Sequence, residues 1–498
     1  MLRENYRLFI NGEWVASHSG QSFATIDPAT EEPLAQIARG NAADINDAVA
    51  AAQQAFDGPW SQLKPKERAR LLFDLARAIE HRADEFAHLE TLDSGKPLPL
   101  AKKEVLGTAR YFEYYAGAAD KFHGDSIPLG PDYVDFTLRE PMGVTAHIVP
   151  WNMPFNMIGR SVAPALATGN TAVVKPAEQT PLTALHLADL MIEVGIPAGV
   201  YNVVTGYGDE AGAPLTTHPD VACITFTGSV ETGRLIMRAA ATHIRPVVLE
   251  LGGKSPNIVF ADADLDMAVA EAAKGIYANS GQICSAGSRL VVESRVKDEF
   301  VEKLSQRAQK MRVGPGLDSP DMGPVVSQEQ YERILDYVRI GRDEGATVVT
   351  GGQRPAQFER GYFIAPTIFD GVRPQTRIAQ EEIFGPVLAV LTFEDDDEAL
   401  HIANGVNYGL VAGIFSTNIN RALRLATRIK AGQIYINEYF AGGEETPFGG
   451  YKQSGFGREK GLDALLNYTQ VKNIAIRLRY LGRSAGFRAR RRARKPAL

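Results

Sequence analysis

Short apolar runs closed by glycine, proline or lysine alternate with helix-period segments over most of this chain, and that alternation restricts its fold more than any other feature. Residues 145–149 form a β-rich run ending at Pro150, and residues 171–174 form another ending at Lys175-Pro176. Helical patterns follow each run, over 158–167 and 181–194, and further strands are expected at 200–204 and 222–225. Strands and helices at this spacing form βαβ units around a parallel sheet. The rhythm resumes past residue 253, with strands expected at 256–260, 289–292, 347–350 and 387–392. A second α/β domain is therefore expected, in keeping with 498 residues, which exceed what one hydrophobic core organises. Upstream, Leu71, Leu75, Ile79, Phe86 and Leu89 recur at near-helical spacing, which predicts one amphipathic helix over 67–92, stopped by Gly95 and Pro97. Two strand-like segments, 122–141 and 467–479, fall outside the alternation.

Composition narrows the class. No apolar run approaches the ~18 residues of a membrane span, and residues 1–6 lack the basic-then-apolar pattern of a secretory signal. Two cysteines, Cys223 and Cys284, make a disulfide framework unexpected and fit a reducing, cytoplasmic setting. From Arg477 to Lys495 lie nine cationic side chains and no acid; setting them aside turns the formal net charge of −6 into −15. So acidic a body is not expected to bind nucleic acid. The basic end, 481–498, reads as a solvated, disordered tail, with contact to phosphate or anionic lipid as its alternative.

Several short segments carry groups suited to chemistry. In Gly281-Gln282-Ile283-Cys284-Ser285 a glycine-flanked turn can present a thiol, the most nucleophilic side chain near neutral pH, although free cysteines are often inert core residues. Glu250 follows an apolar run and precedes Gly252-Gly253, where partial desolvation raises a carboxyl toward a general base; a solvated loop acid is the alternative. Asn152, in Pro150-Trp151-Asn152, lies beyond a strand end and suits an oxyanion donor or a turn. Thr227-Gly228-Ser229 with Thr232 follows a strand and opens a helix, so its N–H groups can meet a pyrophosphate. Gly206, Gly208 and Gly212 form a glycine pattern one residue longer than the usual dinucleotide fingerprint. Lys175 and Glu178 put a cation and an acid at another strand end, as ribose hydroxyls require. No metal site is read from the sequence.

In combination and in order, these segments resemble the aldehyde dehydrogenase superfamily, from Phe9-Ile10-Asn11-Gly12 to Val471-Lys472-Asn473. The shared motifs are Pro-Trp-Asn at 150–152, Lys-Pro-Ala-Glu at 175–178, Phe-Thr-Gly-Ser at 226–229, Glu-Leu-Gly-Gly-Lys at 250–254 and Gly-Gln-Ile-Cys at 281–284. Glu-Glu-Ile-Phe-Gly-Pro at 381–386 and Pro-Phe-Gly-Gly-Tyr-Lys-Gln-Ser-Gly at 447–455 complete them.

The resemblance implies an aldehyde dehydrogenase-like α/β fold: a cofactor domain from 1–121 and 142–252, a catalytic domain at 253–466, and an oligomerisation element from 122–141 and 467–480. It implies a homodimer or homotetramer. It makes Cys284 the nucleophile that forms a thiohemiacetal and then a thioester, Asn152 and the Cys284 N–H the oxyanion donors, and Glu250 the group that activates the hydrolytic water. Lys175 is carried over to both the catalytic and cofactor sets. Because Glu250 is present, a free acid is expected in place of acyl transfer to coenzyme A. The implied cofactor is NAD, with NADP the weaker alternative because Glu178 would repel a 2′-phosphate. Its contacts would be Ile148, Trp151, Lys175, Glu178, Gly208, Gly212, Phe226, Thr227, Gly228, Ser229, Thr232, Leu251, Glu382 and Phe384. Glu459 matches a position associated with proton relay. Arg160, Met153, Met157 and Phe448 would line the substrate tunnel, with Tyr439 and Phe440 near its end. Arg160 stands where many members carry Trp; it would meet an electron-rich group on a semialdehyde or aromatic aldehyde, or form a structural ion pair.

Overall fold

The structure, a computed structural model, describes residues 2–478. Eight strands form the first sheet in the order Gly455–Phe456, Val247–Glu250, Val221–Thr227, Val144–Val149, Thr171–Pro176, Tyr201–Val203, Leu8–Ile10, Glu13–Val15. The middle five run parallel, and the three outer strands are antiparallel to their neighbours. The two-residue period of the strands explains why both faces are covered. Ala172 and Val174 join a core containing helices Pro65–His81, Leu98–Ala118, Pro154–Ala167 and Leu182–Glu193; Val173 joins the opposite core, with helices Ala42–Asp57 and Val230–Ala241.

From Val144–Val149 the chain first adds strands on one side, then returns to add Val221–Thr227 and Val247–Glu250 on the other. A crevice therefore opens past the carboxyl ends of Val144–Val149 and Val221–Thr227, the place where parallel sheets bind ligands. Pro150-Trp151-Asn152 and Gly228-Ser229 emerge there.

A second sheet runs Thr347–Thr350, Thr367–Asp370, Val387–Phe393, Arg289–Glu293, Pro256–Val259, Val411–Phe415, Gln433–Ile436, parallel except for its Thr347–Thr350 edge. It includes the four strands expected past residue 253, and Thr367–Asp370, Val411–Phe415 and Gln433–Ile436 besides. The expected 253–466 unit does not stay within this sheet. Gly455–Phe456 crosses back and pairs with Leu249 and Glu250 at the edge of the first. The two odd segments meet in a three-stranded antiparallel sheet of Thr469–Arg477, Tyr133–Pro141 and Ser126–Ile127. The expected basic tail, 481–498, lies outside the described residues. Among the described residues no helix is long and apolar enough to cross a membrane.

The helix expected over 67–92 is two helices, Pro65–His81 and Ala83–Ser94, joined at Arg82 with ψ 18°. No glycine or proline marks the junction, so the apolar period runs through it; the Arg82 guanidinium holds it by bonds of 2.9 Å to Glu85. Beyond Ser94, Gly95 takes φ +79° and closes the second helix.

Lys96 then turns inward. Its amine, wholly buried, donates to Glu90 at 2.7 Å and also binds Glu104, tying helix Ala83–Ser94 to helix Leu98–Ala118. The latter helix crosses Pro154–Ala167 at Gly159, where a Cβ would lie 2.8 Å from Thr108 Cγ2. That close crossing seats the helix that carries Arg160. Removing the cation strands two buried carboxylates, so Lys96→Met is expected to cost about 3–5 kcal/mol of stability in urea unfolding. A loss below about 1 kcal/mol would show that the acids tolerate burial without it.

Candidate active site

Asn152 ties the end of a first-sheet strand to the segment that leads into the second sheet. Its Nδ2 donates to Gln282 O at 2.8 Å, and its carbonyl accepts from Asn279 Nδ2 at 3.0 Å. Both bonds end on the segment that presents Cys284. That segment is sharply bent: Asn279, Ser280 and Gly281 follow one another with φ of 49°, 56° and +74°. Two successive side-chain-bearing residues in the left-handed region are strained and persist only when neighbours hold them. Here Ser280 Oγ donates to Gly323 O at 2.7 Å, and Gln282 Oε1 accepts from Val326 N at 2.9 Å. Gly281 is required outright, because a Cβ would lie 2.1 Å from Gly385 O.

Cys284 keeps part of its surface open, whereas Cys223 is buried within the first sheet; both are free thiols. Cys284 packs against an apolar cluster that includes Tyr435, Tyr439 and Phe448. Burial pushes its thiol up to about 12; Arg160 opposes that rise, while Glu250 and Glu382 add to it. A thiol in such surroundings needs a base to become a nucleophile.

Glu250 ends the strand Val247–Glu250 and is 2% exposed. Its backbone carbonyl accepts from Gly228 N at 3.0 Å, linking it to the candidate pyrophosphate turn. One carboxylate oxygen, Oε2, accepts from Arg160 at 3.2 Å, and Oε1 has no hydrogen-bond partner among the described residues. Burial, followed by the Glu459 charge, holds this acid above the ordinary range, with Arg160 and Arg458 pulling the other way. A buried acid with one free oxygen and a raised affinity for protons suits a general base.

Arg160 is buried between two acids. Its Nε lies 2.5 Å from Glu459 Oε2, its NH2 binds Glu250, and its guanidinium carbon stands 4.4 Å from the centre of the Phe448 ring. NH1 lies 3.8 Å from Met157 Sδ. Glu459 thus enters the site as an acid bound to Arg160. Tyr439, expected near the tunnel end, is fully buried, and its hydroxyl donates to Ser285 O at 3.0 Å, so it buttresses the cysteine segment from behind.

The residues expected at the cofactor fall into local groups around the crevice. Lys175 Nζ pairs with Glu178 at 3.3 Å, and a Cβ on Gly212 would lie 3.8 Å from the Lys175 chain, while Gly208 faces open space. Nothing among the described residues joins the Lys175 amine to Cys284, Glu250 or Asn152; its partner is Glu178, on the cofactor side. Ser229 caps helix Val230–Ala241 by accepting from Thr232 N at 3.1 Å. A Cβ on Gly228 would strike the Phe226 ring at 2.4 Å, and one on Gly233 would strike Leu251 at 2.8 Å. Ile148 and Thr227 lie on the two strands that flank the crevice. Glu382 accepts from Gly253 N at 2.9 Å and packs on Gly252, where a Cβ would lie 2.1 Å from it; burial pushes its carboxyl up to about 7. Phe384, at φ 60°, sets its ring edge-on to Trp151, with centroids 5.2 Å apart. Asn279 was not singled out from sequence, and Gln282 was quoted there only as part of the cysteine motif. Asparagine before Ser-Gly was the available signal, since it tolerates the left-handed region.

The profile of the aldehyde dehydrogenase family matches residues 14–474, and the chain belongs to that family. It is 48% identical over 472 residues to aldehyde dehydrogenase 1 of Tanacetum cinerariifolium, covering 94% of each chain. It is also 48% identical to the mitochondrial benzaldehyde dehydrogenase of Antirrhinum majus, over 95% of this chain and 89% of that one. The NAD+ complex of aldehyde dehydrogenase from Bacillus cereus superposes with a TM-score of 0.95 at 46% identity, covering 96% and 98% of the two chains.

With a thiol pushed up to about 12, only a small fraction is ionised at neutral pH. Alkylation of Cys284 by iodoacetamide, measured in a Cys223→Ser background, is expected to accelerate about tenfold per pH unit from pH 7 to 9. A plateau below pH 8 would mean that the thiolate is already formed.

Proposed function

We propose that this protein oxidises a neutral aldehyde, aromatic or otherwise bulky and apolar, to the free carboxylic acid with NAD. The observation that carries the reading is a partly open thiol, Cys284, near enough to the buried acid Glu250 to sense its charge, with Glu250 Oε1 free of any hydrogen-bond partner among the described residues. The Cys284 sulfur would attack the carbonyl carbon as its proton passes to a base, giving a thiohemiacetal. Asn152 Nδ2 and the Cys284 N–H would stabilise the oxyanion, each donor being worth roughly 3 kcal/mol of barrier. NAD, when bound, supplies the acceptor for the hydride that leaves this carbon. Glu250 would then take a proton from the water that hydrolyses the resulting thioester, releasing acid and thiol.

The crevice fits such a cofactor. Lys175 and Glu178 would hold the adenosine ribose, Gly228 and Ser229 the pyrophosphate at a helix start, and Glu382 with Phe384 the nicotinamide ribose. Ile148, Trp151, Gly208, Gly212, Phe226, Thr227, Thr232 and Leu251 would complete the walls. The bare backbone at Gly228 and Gly252, where any side chain collides with Phe226 or Glu382, supports this assignment.

The substrate class rests on charge and on the aromatic wall. Arg160 already faces Glu250 and Glu459, so a substrate carboxylate would bring a third anion to one cation. Tyr435, Phe440 and Phe448 beside Cys284 favour an apolar group, with Met153 and Met157 on the neighbouring helix start. The benzaldehyde dehydrogenase among the relatives agrees with this preference. The exposed apolar residues Tyr133, Val134, Leu138, Val471 and Ile476 on the three-stranded sheet support self-association as a homodimer or homotetramer. Sedimentation of the chain as a monomer would remove that part of the reading.

Steady-state rates with benzaldehyde, betaine aldehyde and succinic semialdehyde test the substrate. Benzaldehyde is expected to exceed succinic semialdehyde in kcat/KM by about tenfold or more, and NAD to exceed NADP similarly, through like-charge cost at Glu178. Preference for the semialdehyde acid, or a product that requires coenzyme A, would overturn the proposal.

A further inference from the structure

Lys460 stands at the Phe448 wall on a strained turn. It adopts φ 62° and is followed by Gly461 at φ +58°. A side-chain-bearing residue in the left-handed region persists only when neighbours hold it there. Here Gly461 N donates to Glu444 O at 2.8 Å, and Gly461 O accepts from the Tyr115 hydroxyl at 3.0 Å. The turn so clamped sends the lysine stem over the Phe448 ring, with Nζ 5.8 Å from its centre. The same ring carries the Arg160 guanidinium and belongs to the apolar cluster against which Cys284 packs. Lys460 is half-buried, and among the described residues its amine has neither a hydrogen bond nor an ion pair, although Glu250, Glu444, Glu445 and Glu459 lie around it.

That setting changes what the amine can do. Burial, and then the Arg160 charge, push it down to about 8, against the opposite pull of Glu444, Glu445 and Glu250. About one amine in ten is then neutral at pH 7, against roughly one in a few thousand for an ordinary lysine. A neutral amine in an apolar setting is a nucleophile toward a carbonyl carbon. The other lysines with a weakened hold on the proton are not free to act in this way. The Lys254 amine is sealed in the interior, Lys175 is paired with Glu178, and Lys452 donates to the carbonyls of Asn404 and Val406.

We propose that Lys460 is a second carbonyl-binding site of this protein, where an aldehyde forms a reversible imine on the amine, occupies the Phe448 wall and slows oxidation at Cys284. This rests on the reading of that wall as the aldehyde's path to the thiol. The nitrogen lone pair bonds to the carbonyl carbon and one proton passes from nitrogen to oxygen, giving a carbinolamine. The hydroxyl then leaves with the second nitrogen proton as water, and a carbon–nitrogen double bond remains. Nothing is oxidised or reduced, and water returning to that bond releases the aldehyde unchanged. Hydride transfer draws off the Cys284 adduct, whereas the imine can only hydrolyse. The thiol therefore prevails at low aldehyde, and the brake acts when aldehyde is abundant.

Reductive trapping tests this. The full chain is incubated near neutral pH with benzaldehyde and cyanoborohydride, without NAD, and the benzylated lysines are located by peptide mass spectrometry. Lys460 is expected to be labelled at least about tenfold faster than the exposed Lys66, in line with its larger neutral fraction. Benzaldehyde oxidation, measured after the reagents are removed, is expected to fall in step with that label. Lys460→Arg keeps a cation beside Phe448 and removes the nucleophile. It should therefore lose no activity in the treatment, and untreated it should keep kcat/KM within about threefold of the wild type. Labelling of Lys460 no faster than of Lys66, or full activity in protein fully labelled at Lys460, overturns the proposal. If Lys460 escapes the label while benzaldehyde is oxidised normally, this proposal fails alone and the proposed function stands. If benzaldehyde is neither oxidised nor trapped at Lys460, both fall.

Discussion

The amide of Asn152 is the tie on which the site depends. It reaches from beyond a strand of the first sheet to Gln282, in the segment that leads into the second, while Asn279 reaches back to the Asn152 carbonyl. These two bonds align the lobe that can hold a dinucleotide with the segment that presents the thiol. They also help maintain three successive left-handed residues, a geometry that a segment held only by its ends would abandon. Precision at Cys284 is thus obtained from strain on one side and clamps on the other.

The electrostatics follow from the same enclosure. Glu250 is almost wholly buried, so each neighbouring charge acts at short range and in low dielectric. Burial alone would hold both the thiol and the acid protonated, and the guanidinium of Arg160 is the main opposing influence on each. Lys96 repeats the motif far from the chemistry, one cation between Glu90 and Glu104, and there it fastens helices. Similar charge groupings fasten helices in one place and surround a thiol in the other. Access to a partly open thiol makes the difference.

Much of this was legible in the sequence, for identifiable reasons. Strands that are apolar on both faces leave continuous runs, so Val144–Val149, Thr171–Pro176 and Val221–Thr227 could be expected with small errors at their ends. The junction at Arg82 was hidden because the apolar period continues across it, and a period reports which face is buried without reporting the direction of the axis. Gly455–Phe456 was hidden because two residues carry no period at all. Within the site, Cys284, Glu250 and Asn152 could be named from local texture and family likeness. The ties among them could not, since Asn152 to Gln282 and Arg160 to Glu250 and Glu459 join positions distant in the chain. Arg160 could be read as a substrate contact or as an ion pair, and the structure gives it two acid neighbours.

The edge strand Gly455–Phe456 bears on how such proteins can be recombined. It completes the first sheet beside Glu250 with residues that belong, by chain order, to the other lobe, and just past its end the chain brings Glu459 to Arg160. The lobes are consequently not interchangeable parts. A chimera joined at residue 252 would bring a foreign border strand and a foreign acid to the native Arg160, however well each half folded. Inheritance in this fold would act on the pair of lobes, with a handful of residues near the carboxyl end serving as the seal between them.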